Sequence, residues 1–413
     1  MDVVHKLKTA AGLLRTKGIA SVWAVFSAKA ARAAKCAAHA ARGLLFRARL
    51  LRAERGGRLR VLYVVNEVEM SGGQTVRYRV FNLIEALDGQ ADASWAMLEN
   101  GVYLDDWQVA RADILVCMRV FDTPQLRRLL ALAARHGVPT VFDIDDLIFL
   151  PAYYDGFCKA LGVRDGFEKK MYADMFAKFH EAFLRCDFAT ASTPYIVERM
   201  QPYKAARVIH NGLNETQLDV ARGLPETARG QVFRICYLSG SKSHNVDFAQ
   251  AKPAIARILE EYPSARLRVA GYLDEELSAR FPGRVSRAPY MPWQELPAYC
   301  AACNLNIAPL DTSSPFCHAK SELKYFEAAL VGVPTVASPT DTFRRCIRPG
   351  ENGLLAGTGE EWYAAIKSLI DDEELRGRIR RAAKADALET YAPAAIAAEA
   401  LSAYRGILAE HRR

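Results

Sequence analysis

Residues 305–337 read LNIAPL-DTSSPFCH-AKSELKYFEAAL-VGVP-TVA, and this stretch decides the fold. A short apolar run (305–308) leads into a polar loop with Ser and Pro. A helical stretch follows (320–331), then Gly332-Val333-Pro334 and a second apolar run (335–337). Two strands joined by a helical crossover lie parallel, because the helix returns the chain to the starting end of the sheet.

The alternation extends in both directions. Upstream, strands are expected at 233–238, 267–270 and 285–288, with helices at 247–261, 274–280 and 293–300. Helices between 360 and 408 close the chain. The N-terminal half repeats the grammar: strands at 60–65, 94–98, 114–118, 140–144, 188–192 and 208–213, and helices at 74–88, 124–136 and 166–185. The polar stretch 215–230, with two glycines and a proline, reads as a linker. The expectation is an α/β protein of two Rossmann-like βαβ domains facing a central cleft, where open α/β sheets bind ligands. The parts are a helical extension (1–56), an N-terminal acceptor domain (57–215), a C-terminal donor-binding domain (216–390), and a last helix (391–413) packing back on the first domain.

The chain has 413 residues, 51% hydrophobic and 25% charged, which excludes a disordered protein. Its +8 net charge is uneven: residues 1–55 hold 12 Lys/Arg against 2 Asp/Glu, and the remainder holds 43 against 45. The body is therefore near neutral, and a nucleic-acid partner is not expected. The extension alternates apolar residues (Val4, Leu7, Leu13, Leu14, Ile19, Val22, Trp23, Phe26) with basic ones. Such a helix suits an anionic membrane surface, or packing on the body or a partner. Its longest uncharged run, 18–28, is too short to span a bilayer. Nine scattered cysteines suit free thiols in a reducing compartment. Cys300 and Cys303 form one CxxC with no second pair, and read as helix packing residues. The expected location is cytoplasmic, peripheral on the inner face of the membrane.

Lys320, Lys324 and Glu327 are spaced four and three apart, so on one helix they share a face. Two cations at a helix start beside a strand end can neutralise a diphosphate. A carboxylate further along can accept the hydroxyls of a ribose. On spacing alone, a surface Lys–Glu pair of an amphipathic helix explains the same residues.

Glu327-Ala328-Ala329 with Gly332-Val333-Pro334 resembles the second half of the donor motif of retaining GT-B glycosyltransferases, family four. That resemblance implies a ribose contact for Glu327. The motif's first glutamate is replaced by Ala319, and the KSELKYFE order resembles a subgroup with Lys-Ser before the helix. Lys320, Ser321 and Glu322 are then nearest to take over sugar or phosphate contacts. Other motifs follow in family order over residues 60 to 390. Gly72-Gly73 resembles the loop that approaches the donor phosphates, and Val76-Arg77-Tyr78-Arg79 resembles the helix after it. Ser239, Lys242 and His244 stand where the family binds diphosphate, although its arginine is missing. Met291 lies in a turn near the nucleobase. Asp247 is expected to cap a helix.

Asp143, Asp145 and Asp146 end a strand of the first domain and are the candidate catalytic carboxylates. They would orient the acceptor hydroxyl or take its proton. Strand alternation places Asp143 and Asp145 on one face and Asp146 in the loop. One of them capping the next helix is the plainer account. His210-Asn211-Gly212 resembles an exit turn. By the resemblance, the reaction moves a sugar from a nucleoside diphosphate sugar to a glycan or lipid-linked acceptor hydroxyl, with retention. It uses no cofactor and no bound metal, and serves envelope or surface polysaccharide synthesis. The alternative is a non-catalytic sugar-nucleotide-binding or scaffold protein of the same fold. A dinucleotide oxidoreductase would need GxGxxG where this chain has Ser-Gly-Gly.

Overall fold

The computed structural model describes residues 57–66, 74–98, 106–224, 231–239, 244–271, 276–289 and 291–413. The basic extension, Gly72, Gly73 and Lys242 lie outside the described residues. Among those described, no helix is long and apolar enough to cross a membrane.

Two six-stranded sheets carry the structure. The first orders its strands β2-β1-β3-β4-β5-β6, with β1 Leu59–Val65, β2 Ala91–Met97, β3 Ile114–Met118, β4 Thr140–Ile144, β5 Phe188–Ala191 and β6 Ala206–Val208. The second orders them β12-β11-β10-β7-β8-β9, with β7 Phe233–Leu238, β8 Ala265–Ala270, β9 Val285–Ala288, β10 Leu305–Ala308, β11 Thr335–Ala337 and β12 Leu354–Leu355. Every pairing is parallel. Each sheet reverses its winding once, between β1 and β3 and between β7 and β10. A crevice opens at the carboxyl ends of the strands at such points.

Parallel strands covered by helices on both faces must be apolar on both faces. Accordingly Val61–Val65 and Ile114–Met118 are buried throughout. One face of the first sheet packs on the Pro124–Arg135 and Gly166–Arg185 helices. Its other face packs on the Pro393–His411 helix through Ile396, Leu401, Tyr404 and Ile407. The Tyr63 and Tyr404 hydroxyls meet at 2.7 Å in that core. The last helix of the chain thus covers the first sheet. Gly212 permits the approach: a Cβ there would lie 2.3 Å from Ile396 Cγ1.

Three segments differ from the sequence expectation. The described part of the linker is helical: Asn214 and Gln217 form a reciprocal capping box that starts a helix at Glu215–Gly223. The helix expected over 320–331 begins only at Leu323 and runs to Leu330; a separate short helix, Pro315–Ala319, precedes it, and the extended Lys320 (ψ 134°) makes a break between the two. The helix after β1 contains a π-helical turn, Arg77–Phe81, in which Arg77, Tyr78, Arg79 and Val80 are all buried. Such turns are rare and recur at functional sites.

Candidate functional site

A cleft with a cavity of about 170 Å³ lies between the domains at the strand carboxyl ends. Leu238 and Ser239 at the end of β7, and Ala270 and Gly271 at the end of β8, form one wall. Met291, Trp293 and Leu296 beyond β9 form an apolar end. Lys324 and Glu327 supply the charged floor, and Gln74, Arg77 and Tyr78 close the cleft from the first domain. Gly271 has φ +98°, and a Cβ there would lie 1.9 Å from the Ser239 carbonyl oxygen. Only glycine lets β7 and β8 end this close together.

Lys324 and Glu327 share one face of the Leu323–Leu330 helix, as their spacing requires. Lys320 does not join them on that helix. It sits in the break, and its ammonium pairs with Asp247 Oδ2 at 3.2 Å. Asp247 is therefore no helix cap. It is 4% exposed, and its other oxygen accepts from the Asp311 amide at 3.2 Å and the Cys317 thiol at 3.3 Å. The break is held by contacts from distant parts of the chain. Asn211 Nδ2 donates to Ser321 Oγ at 2.9 Å, and Thr193 Oγ1 donates to the Ala319 carbonyl at 3.3 Å. Glu322 turns inward, away from the contacts expected of it, and accepts from the Tyr391 hydroxyl at 2.9 Å. Burial pushes the Glu322 carboxyl upward.

Two ammonium groups four residues apart repel. Burial first, and then Lys320, lowers Lys324 to about 8, with Asp247 and Glu327 opposing. Glu327 is held from outside its own helix: Oε1 accepts from Tyr78 Oη and weakly from Arg77 Nη2 at 3.5 Å, both of the first domain, and from Gln217 Nε2 of the linker helix at 2.8 Å.

The three aspartates separate by depth. Asp143 is 2% exposed and faces Arg79, itself fully buried. The guanidinium grips it in two places, Nε to Oδ1 at 3.0 Å and Nη2 to Oδ2 at 2.5 Å, and Thr190 Oγ1 adds a 2.7 Å bond. With its oxygens engaged beneath the cleft, Asp143 does not fit the catalytic role expected of it; it braces the sheet. Asp145 stands higher, accepting from Thr75 Oγ1 at 2.9 Å and Arg119 Nη1 at 3.3 Å. Arg119 has φ 45°, a strained conformation for a residue with a side chain. Its amide donates to the Asp143 carbonyl at 2.9 Å, which helps hold that strain. Asp146 Oδ1 accepts the Leu147 amide at 2.8 Å. Burial first, then Asp145, raises Asp146, while Arg119, the Leu147 amide and Lys320 oppose. Asp146 and Lys320 thus lie within electrostatic reach of one another across the cleft-side loops.

Of the remaining expected residues, Ser239 and Met291 line the cleft, and His244 opens the His244–Ala249 helix. Sequence reasoning missed Trp293, Gly271, Gln217 and the Asp247–Lys320 pair. A glycine directly after an apolar strand and an Asn-x-x-Gln before a helix were the available signals. Among the described residues, no group of three His, Cys, Asp or Glu side chains is arranged to hold a metal.

Residues 234–372 match the model of the family described as "Glycosyl transferases group 1". A search of curated proteins finds no significant match. Among solved structures, a glycosyltransferase from Rickettsia africae ESF-5 is similar at 14% identity and TM-score 0.58, over 85% of this chain and 99% of that one. Sucrose-phosphate synthase from Thermosynechococcus elongatus is similar at 15% and 0.57, over 86% of this chain and 100% of that one. HepE from Anabaena, in complex with UDP and glucose, is similar at 13% and 0.53, over 84% and 100%. These likenesses concern the fold, which is the GT-B arrangement of two Rossmann-like domains.

Proposed function

We propose that this protein transfers a sugar from a nucleoside diphosphate sugar to an acceptor hydroxyl, with retention at the anomeric carbon. The observation that carries the reading is Lys324 and Glu327 one helical turn apart on the floor of the inter-domain cleft. Both lie within the segment that matches the glycosyltransferase family model. The base fits the apolar end at Gly271, Met291 and Trp293. The ribose hydroxyls fit Glu327. The diphosphate fits Lys324, Lys320 and the amides that start the Leu323–Leu330 helix, with the loop of Gly72 and Gly73 and Lys242 as further contacts. Preorganised positive groups of this kind stabilise a departing diphosphate electrostatically, and the reading assigns that work to them rather than to a metal. HepE, a fold neighbour, has been solved with UDP-glucose. Asp145 and Asp146 orient the acceptor hydroxyl, and Asp146, raised by burial, is the better proton acceptor.

The basic charge of residues 1–55 favours an acceptor at an anionic membrane and a role in envelope or surface glycans. Flotation of the full chain and of a chain lacking 1–55 on anionic liposomes tests that part. The second reading is a non-catalytic nucleotide-sugar-binding protein of the same fold. Its support is Ala319, a buried methyl where the family places a glutamate.

The test is a thermal-shift panel of UDP-, GDP- and other activated sugars, followed by turnover with membrane extracts. Stabilisation by one nucleotide class, lost in Glu327→Ala, is expected. A Glu327→Ala protein that responds like wild type would place the donor elsewhere. Binding without transfer or hydrolysis would favour the second reading.

A further inference from the structure

We infer that Arg77 is a donor-binding residue supplied by the N-terminal domain, and that its guanidinium meets the diphosphate. The inference rests on reading the cleft as a nucleotide-sugar site. Arg77 is 7% exposed and lines the cleft. Its guanidinium carbon lies 4.0 Å from the Tyr78 ring centroid and 4.5 Å from that of Trp293, so two aromatic faces hold it across the domain boundary. Nε donates to Gln74 Oε1 at 2.7 Å. Nη2 reaches Glu327 only at 3.5 Å, well beyond a charge-assisted bond of about 2.7–2.9 Å. Nη1 is buried with no hydrogen-bond partner.

A buried donor without a partner is costly, and a guanidinium cannot escape by losing its proton. The nearby carboxylates do not answer it. Glu327 Oε1 already takes Tyr78 and Gln217, and Asp247 takes Lys320. Lys324 adds a second cation to the floor. The cleft therefore keeps an excess of positive charge that an entering anion would neutralise. A diphosphate supplies oxygens for a fork of N–H donors, which an ammonium cannot match. Because Arg77 stacks on Trp293 of the other domain, the contact it offers the ligand spans the domain boundary.

The test is calorimetry on the full chain with UDP, GDP and ADP against uridine, guanosine and adenosine. For the base that binds, Arg77→Gln should weaken the diphosphate by roughly ten- to a hundredfold and leave the nucleoside unchanged. Arg77→Lys, with charge but no fork, should fall between. Retained nucleoside binding shows that the variant is folded. Equal loss for nucleoside and diphosphate, or no loss for either, overturns the inference. If wild type binds a diphosphate, Glu327→Ala abolishes binding and Arg77→Gln does not alter it, this inference alone fails. If wild type binds no nucleotide, the underlying reading fails with it.

Discussion

Gln217 Nε2 donates to Glu327 Oε1 at 2.8 Å, joining two side chains 110 residues apart. The Tyr78 hydroxyl donates to the same oxygen. The carboxylate assigned to the ribose is thus already in use, held by groups outside its own helix. An entering ribose has to compete with them. Tyr78→Phe removes one competitor and one buried hydrogen bond. The unliganded protein should lose about 1 kcal/mol of stability. Its melting temperature should fall while the shift produced by a bound nucleoside diphosphate grows. Thermal unfolding with and without nucleotide checks both. An unchanged ligand shift would mean that Glu327 does not touch the ligand.

Asp143 and its two neighbours should behave as different kinds of residue. Asp143→Ala strands a fully buried Arg79, and the loss should be about 3–5 kcal/mol by denaturant unfolding. Asp145→Asn and Asp146→Asn keep the shape of half-buried side chains, and Asp145→Asn gives up one accepted hydrogen bond. They should cost under about 1 kcal/mol, and turnover should fall while nucleotide affinity holds. Full transfer activity in Asp146→Asn would remove it as the proton acceptor.

These outcomes bear on what the sequence could reveal. The strands were legible because parallel strands covered on both faces are continuous apolar runs. The same property hid the depth of Asp143. Alternation sets its face, but only the partner Arg79, 64 residues away, shows that it is buried. The break at Lys320 was illegible for a related reason. Ala-Lys-Ser-Glu-Leu-Lys suits a helix, and long-range contacts to Asp247, Asn211 and Tyr391 override that propensity. The Glu215–Gly223 helix was different. Its Asn214-x-x-Gln217 capping box is a local signal, masked by the polar composition around it.

Gly271 tests the base end of the cleft. An alanine methyl would lie 1.9 Å from the Ser239 carbonyl oxygen at φ +98°, so β7 and β8 would have to part where the base is proposed to sit. Gly283, at φ +73° with nothing within 4 Å, carries the backbone strain alone. Gly283→Ala should cost about 1–2 kcal/mol and leave nucleotide binding intact. Gly271→Ala should cost more than that and lose nucleotide binding. Equal stability losses in the two variants would show that the close approach to Ser239 is not the constraint.

Lys324 predicts a pH dependence with a definite sign. Its folded value is lowered from 10.5 to about 8, chiefly by burial and then by Lys320. Between those values the unfolded chain binds the proton more tightly than the folded one. Lys324 therefore costs stability below pH 8, and that cost is relieved as the pH rises from about 8 toward 10.5. Ligand binding should run the other way. A diphosphate favours the charged ammonium, so its affinity should fall as the pH rises through 8. Calorimetry from pH 7 to 9.5 on wild type and Lys324→Met separates the effects: wild-type affinity for the diphosphate should decline, and the variant should be weaker and flatter. A matching decline in Lys324→Met would assign the titration to another group and remove Lys324 from the phosphate site.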